Sequence, residues 1–214
     1  IHKRANVSTL VGILRHHNND SQLTADWIAK CYDGGLIEWD ALTEVFITQF
    51  TIGDEVQAEI DRYQYPLPMV VEPMEVKNNM TTGYLMCSKG SLLLKDNHHD
   101  QDICLDHINR MNKVKLCLEP RVYGFIANQW KNLDKAKPGE TKEEFNARKR
   151  AFEKYDRTSR DVLEVLTQEG NEFYLTHKYD KRGRIYCQGY NVTYQGNTWN
   201  KAVINFAEPE YLTQ

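Results

Sequence analysis

Apolar residues recur at helical spacing from Thr24 to about Asp61: Trp27, Ile28 and Cys31, then Ile37, Leu42, Val45, Phe46 and Phe50, then Val56 and Ile60. This spacing predicts a series of short helices. Asp33-Gly34-Gly35 ends the first of them, with Asp40 and Gly53-Asp54 as later boundaries. Between Tyr63 and Pro73 the pattern breaks, because three prolines in eight residues (Pro66, Pro68, Pro73) cannot continue a helix. An entry strand or linker is expected there. Ile103, His107, Ile108, Met111, Val114 and Leu118 restore an amphipathic helical period, which Pro120 should interrupt or restart, and Val122, Phe125, Ile126 and Trp130 form a second apolar stripe. After the polar break at Lys135–Glu140, Thr141 and Glu144 make a capping box. A long helix is predicted from Thr141 to Gln168, with Phe145, Phe152, Tyr155, Val162 and Leu166 on one face. The predicted class is mainly α with short β segments, an α+β chain.

Composition narrows the chemistry. The 214 residues carry 27% charged side chains but a net charge of only -3, so any polyanion contact must be a local patch. No apolar run has membrane-spanning length and the N-terminus has no signal pattern, so no membrane partner is expected. The five cysteines are widely spaced and form no Cys-x-x-Cys pair, which disfavours a disulfide framework or structural zinc and favours buried thiols in a reducing compartment.

The densest candidate chemistry lies at Tyr179–Tyr186, followed by Asn191, Gln195, Gly196 and Lys201. Arg182 and Arg184 flank Gly183 and follow Asp180, which suits a tight turn that aims guanidinium groups at phosphates while a carboxylate orients them. On the long helix Arg150, Lys154, Arg157 and Arg160 recur at spacings of four and three opposite the apolar face. A polyanion-docking stripe is one reading of them; a solvated face balanced by Glu153, Asp156 and Asp161 is the other.

The order of these elements resembles the phage and mitochondrial type of single-polypeptide DNA-dependent RNA polymerase, whose D-x-x-G-R element is followed by R-x-Y, N-x-x-x-Q-G and a lysine opening a helix. Here they read Asp180-Lys181-Arg182-Gly183-Arg184-Ile185-Tyr186, Asn191 to Gly196, and Trp199-Asn200-Lys201. Thr82-Gly83-Tyr84 and the asparagines Asn109 and Asn112 also fit, whereas Met74 and Val76 stand where the family has a tryptophan. The resemblance implies the N-terminal portion of a right-hand-shaped polymerase. Its parts would be a helical N-terminal domain (1–61), a thumb-proximal core with the proline segment (62–140), and a stretch with the basic helix, the motif and the start of the palm (141–214). It implies that Arg184 contacts the template backbone, Arg182 the RNA end of the hybrid, and that Lys201 faces the hybrid or the incoming nucleotide. By the same resemblance Asp180 orients the guanidinium groups and Gly183 lets the backbone come close. Tyr186 is either a stacking platform or a buried core tyrosine.

The family's metal-binding palm aspartates do not follow within these residues. The expectation is therefore the smaller subunit of a two-chain phage enzyme in the cytoplasm of an infected bacterium. Its partners would be a larger subunit carrying palm, fingers and Mg2+, template DNA and nascent RNA. This chain would bind no cofactor and catalyse nothing alone, and an apolar edge from Val203 to Tyr211 would meet the larger subunit. A fragment of a longer polymerase is the less different alternative, and two other classes stand beside it. One is a single-stranded nucleic-acid-binding accessory factor. The other is a metal-dependent hydrolase built on the run Asp96, His98, His99, Asp100, Asp102, Cys104, Asp106 and His107, which is dense in ligand types but lacks ligand spacing.

Overall fold

The computed structural model describes residues 4–15 and 17–210. The element order is β1 (Arg4–Ala5), α1 (Val7–Leu14), α2 (Ser21–Asp33), β2 (Ile37–Asp40), β3 (Val45–Thr48), α3 (Asp54–Tyr63), α4 (Leu105–Asn112), β4 (Leu116–Leu118), α5 (Pro120–Phe125), α6 (Lys142–Gln168), β5 (His177–Tyr179), β6 (Ile185–Cys187), α7 (Thr198–Ala202) and β7 (Ile204–Phe206). Helices and short antiparallel sheets make this an α+β chain. It divides into two compact units, one ending at Ile60 and one beginning at Asp61.

In the first unit Asp20 caps α2 through hydrogen bonds from the Gln22 and Leu23 amides, and Gly34 with the positive φ of Gly35 ends it. The predicted helix over Ile37–Phe50 is absent. Ile37–Thr48 is a hairpin instead, and β3 lies between β2 and β1. The physical reason is local. Asp40 accepts hydrogen bonds from the Leu42 amide and the Thr43 hydroxyl, Glu44 adopts φ 53°, and the aromatic Trp39 and Phe46 pair across the strands at 4.9 Å. A turn of this kind stops a helix that apolar spacing alone permits.

The second unit has two apolar clusters. One joins Leu116, Leu118, Val162, Leu163, Leu166, Phe173, Leu175, Val192, Trp199 and Val203. It packs the apolar face of α6 against β4 and α7. The other, Val76, Leu92, Leu93, Ile108 and Tyr179, underlies the β5–β6 hairpin with help from Ile103, Leu105 and Ile185. The Thr141–Glu144 capping box forms as the sequence predicts and opens a 27-residue helix. The helical period predicted through Leu118 ends at Asn112, because Leu116–Leu118 pairs with β7, and Pro120 then starts α5 at its first turn.

The β4–β7 pairing bears on the apolar edge expected to meet a larger subunit. Val203 and Ile204 join the first cluster, and β7 pairs on one side with β4 of this chain, its other side pairing with no strand among the described residues. Phe206 stays 68% exposed, and Tyr211 lies outside the described residues.

Three side-chain amides stand in for missing backbone partners in this unit. Asn109 brackets the N–H and C=O of Val76, Asn171 does the same to Leu118, and Gln195 accepts from Cys187 N at 2.8 Å while donating to Ile185 O. Short strands with few ladder bonds need such surrogates, since unpaired buried peptide groups are costly.

Candidate nucleic-acid interface

The turn between β5 and β6 is built on one carboxylate. Asp180 Oδ1 accepts the amides of Arg182 (2.9 Å) and Arg184 (3.0 Å), while Oδ2 takes Arg184 Nε (2.7 Å) and its terminal nitrogen (2.6 Å). Tyr186 Oη donates to the same oxygen at 3.3 Å, and Arg182 Nε stands 3.8 Å away. The backbone closes the turn with Gly183 N to Asp180 O and Asp180 N to Arg184 O. Gly183 supplies φ 78°, and a Cβ there would meet Cys104 Sγ at 3.2 Å.

Asp180 is 5% exposed. Burial pushes its pKa up, but the hydrogen bonds from the Arg184 guanidinium and from the Arg184 and Arg182 amides outweigh that and hold it at about 2. The carboxylate is therefore ionised at neutral pH and the fork of Arg184 is pre-set. The side chains of Arg182 and Arg184 remain 65% and 55% exposed, and exposed Lys181 has no ion pair among the described residues. Three cations thus stand on a bend stabilised by a single acid, a surplus suited to phosphate.

The turn is also braced from outside. Asn97 Oδ1 accepts the Lys181 amide at 3.0 Å. Tyr179 Oη donates to Asn79, whose own amide N–H is held by Asp102 at 2.7 Å. Neither Asn79 nor Asn97 stood out in the sequence, since their partners lie about a hundred and 84 residues away.

The other candidates fall in three groups. Tyr186 is half-buried and lies 5.9 Å beneath the Arg184 guanidinium, so it is part of the turn. Gln195 and Gly196 serve the local fold. Gln195 clamps β6, and a Cβ on Gly196 would collide with Asn200, which together with Asn197 caps α7. Lys201 is exposed on α7 with no ion pair among the described residues. On α6, Lys154 binds the buried Asp61 at 2.7 Å and Arg157 approaches it at 4.0 Å, while Arg160 pairs with Asp156. Arg150 is exposed without an ion pair among the described residues. The stripe is thus partly neutralised from within.

Sequence reasoning also passed over His177, which is 3% exposed and lies between Asn112 Oδ1 (2.9 Å) and Tyr194 Oη (2.6 Å). Burial, then the nearby His107, lowers its pKa to about 4, so the imidazole is neutral and braces the base of the hairpin.

The run Asp96 to His107 does not assemble a metal site. His98 pairs with Asp100, Asp102 holds the Asn79 amide, Asp106 faces Arg110, and Cys104 abuts Gly183. Among the described residues no group of three or more His, Cys, Asp or Glu side chains is placed to hold a cation. Among the described residues the hydrolase alternative therefore has no assembled centre, and no such group is placed to fit a magnesium ion. No helix among the described residues is long and apolar enough to cross a membrane.

No family model matches the chain. It is 26% identical over 193 residues to a probable DNA-directed RNA polymerase of Agaricus bitorquis, an alignment covering 79% of this chain and 17% of that protein. The chain is therefore related to an RNA polymerase, of whose length it spans less than a fifth.

Proposed function

We propose that the Asp180–Arg184 turn holds the template strand and the RNA–DNA hybrid in a DNA-directed RNA polymerase, with the metal-binding aspartates carried by polypeptide outside these 214 residues. In the two-chain form of this reading those aspartates and their Mg2+ belong to a larger subunit, and this chain is the smaller partner in a phage enzyme. The single observation that supports it most is the carboxylate-templated bend, in which Asp180 fixes the Arg182 and Arg184 amides and the Arg184 fork at once. The resemblance of the motif order and the relationship to a polymerase point the same way.

The work proposed for this chain is positioning. Arg184 grips template phosphates, Arg182 the RNA side of the hybrid, and Lys201 faces the hybrid or the incoming nucleotide. Ordering the reactants in line can supply a large part of a rate enhancement without any catalytic group on this chain.

Arg184→Ala tests it. The variant should fold, because Arg184 is more than half exposed, and should weaken RNA–DNA hybrid binding roughly tenfold or more. In template-directed transcription reconstituted with the catalytic polypeptide it should raise abortive release. Hybrid binding and transcription equal to wild type would sink the proposal, as would failure of any palm-bearing polypeptide to associate with the chain.

A further inference from the structure

We propose that Lys178 and Lys89 carry the phosphate-binding surface of the Asp180–Arg184 turn onward along the β5–β6 hairpin, seating backbone phosphates of the template strand in the cavity they line; this rests on the polynucleotide role proposed above. Lys178 pairs with Tyr186 across the two strands, so both side chains stand on one face of the hairpin. The Arg184 guanidinium lies 5.9 Å from the Tyr186 ring, and the face therefore runs from Arg184 over Tyr186 to Lys178. Beside it opens a cavity of about 250 Å³, lined by Lys178 and Gln188 on the hairpin side and by Thr82, Tyr84 and Lys89 among others opposite. That opposite wall is fixed. Thr82 N donates to Ser88 O at 2.9 Å and Gly90 N to Met80 O at 3.1 Å, and Gly83 is packed so closely that a Cβ would press on Pro73, Asn112 and Thr176.

Charge decides the occupant. No aspartate or glutamate lines the cavity, and its one histidine, His177, is neutral above its pKa of about 4. Lys89 is exposed and Lys178 half-buried, and neither has an ion pair among the described residues. Other lysines of this unit are matched, Lys115 by Glu172 and Glu208, and Lys154 by Asp61. In a chain with 30 acids against 27 lysines and arginines, two ammonium groups on an acid-free cavity leave a place for an anion from outside. The backbone of the turn does not compete for it. The Lys181 amide goes to Asn97, those of Arg182 and Arg184 to the Asp180 carboxylate, and that of Gly183 to Asp180 O. Phosphate recognition on this hairpin therefore falls to side chains. An isolated anion would use one cation of the row, whereas a phosphodiester strand carries a charge at every step and matches cations set along one face.

The test measures binding of a short RNA–DNA hybrid to the whole chain over a salt series. Lys178→Gln and Lys89→Gln should each weaken the hybrid about threefold at low salt and make the slope of log affinity against log salt shallower by about one counterion, the double variant by about two. Lys178→Arg keeps the charge and should keep the slope, which separates a lost contact from a damaged hairpin. Lys30→Gln removes an equal charge from α2 and should leave the slope unchanged. Uncharged methylphosphonate linkages in the DNA strand should erase the difference between wild type and the lysine variants, whereas the same linkages in the RNA strand should not. A wild-type slope in the double variant, or a Lys30→Gln loss as large as theirs, would overturn the track. Lysine effects erased by the neutral RNA strand alone, or reproduced in full with inorganic pyrophosphate as the only ligand, would overturn the template strand as its occupant. If Arg184→Ala weakens the hybrid and the lysine variants do not, the turn stands and the track fails. If the lysine variants weaken it and Arg184→Ala does not, the track stands and the role given to the turn fails.

Discussion

Two arginine-bearing regions of the second unit each hold one buried acid, and the two acids do opposite things. Asp180 faces the backbone: it fixes two amides and one guanidinium, so the geometry of the turn depends on it. Asp61 takes the side chains of Lys154 and Arg157 from α6, whose own backbone is complete without it. The first arrangement turns flexible cations into a fixed constellation. The second merely discharges them. A count of basic residues would rank α6 above the turn, whereas the hydrogen bonds reverse that order, because recognition of phosphate depends on pre-set direction as well as charge.

The sharpest way to break the comparison is to remove each acid. Asp180→Ala should strand the Arg182 and Arg184 amides and release the Arg184 fork, lowering Tm by roughly 5–10 °C and abolishing measurable hybrid binding. Asp180→Asn keeps an acceptor for the amides and should recover much of the Tm but little of the binding. Acid titration adds a second check. The folded pKa of Asp180, about 2, lies below the ordinary aspartate value of about 3.9, so its contribution is complete above pH 4 and is lost as pH falls through about 2. Glu140, held at about 2 by Arg148 and the Lys137 amide, loses its contribution in the same window. Thermal melts of wild type against Asp180→Asn across that window isolate the share of Asp180. Equal acid sensitivity of the two proteins would mean that the turn does not depend on its anion.

Gly183→Ala comes next in size. An L side chain at φ 78° costs about 1–2 kcal/mol, and the added carbon would press on Cys104 Sγ. The turn should shift and the hybrid should weaken several-fold, with both effects eased in Gly183→Ala/Cys104→Ala. A hybrid affinity unchanged in the single variant would show that the position of the turn is not what matters.

What was legible from sequence follows the range of the interactions. The capping box at Thr141 and Glu144 and the stop at Gly34-Gly35 are set by neighbours in the chain and were readable. Asp180 is similar, since its partners lie within six residues. The hairpin at Ile37–Thr48 was misread because its apolar positions fit a helical period as well as paired strands, and the decision fell to the Asp40 turn. Gln195 was picked out as part of a motif, but its bond to Cys187 N depends on a fold the motif does not state. The discharge of Lys154 by Asp61 and the bracing of His177 by Asn112 join residues far apart in sequence, which no local pattern encodes.

The smallest effect expected is also the one that most directly sharpens the contrast between the two acids. In Asp61→Asn the carboxylate that neutralises Lys154 and Arg157 is gone, while the α6 backbone, its capping box and its apolar face are untouched. The freed cations should strengthen non-specific polyanion binding about two- to threefold at low salt, and the slope of log affinity against log salt should steepen by about one counterion. Lys154→Ala on top of Asp61→Asn should return both to the wild-type values. Binding of the hybrid through the turn should not distinguish these variants at high salt, where diffuse attraction is screened and the Asp180-templated contacts remain. Were Asp61→Asn instead to weaken binding as Asp180→Asn does, Asp61 would have to be orienting its cations toward the ligand, and the α6 stripe would join the turn as a built recognition surface.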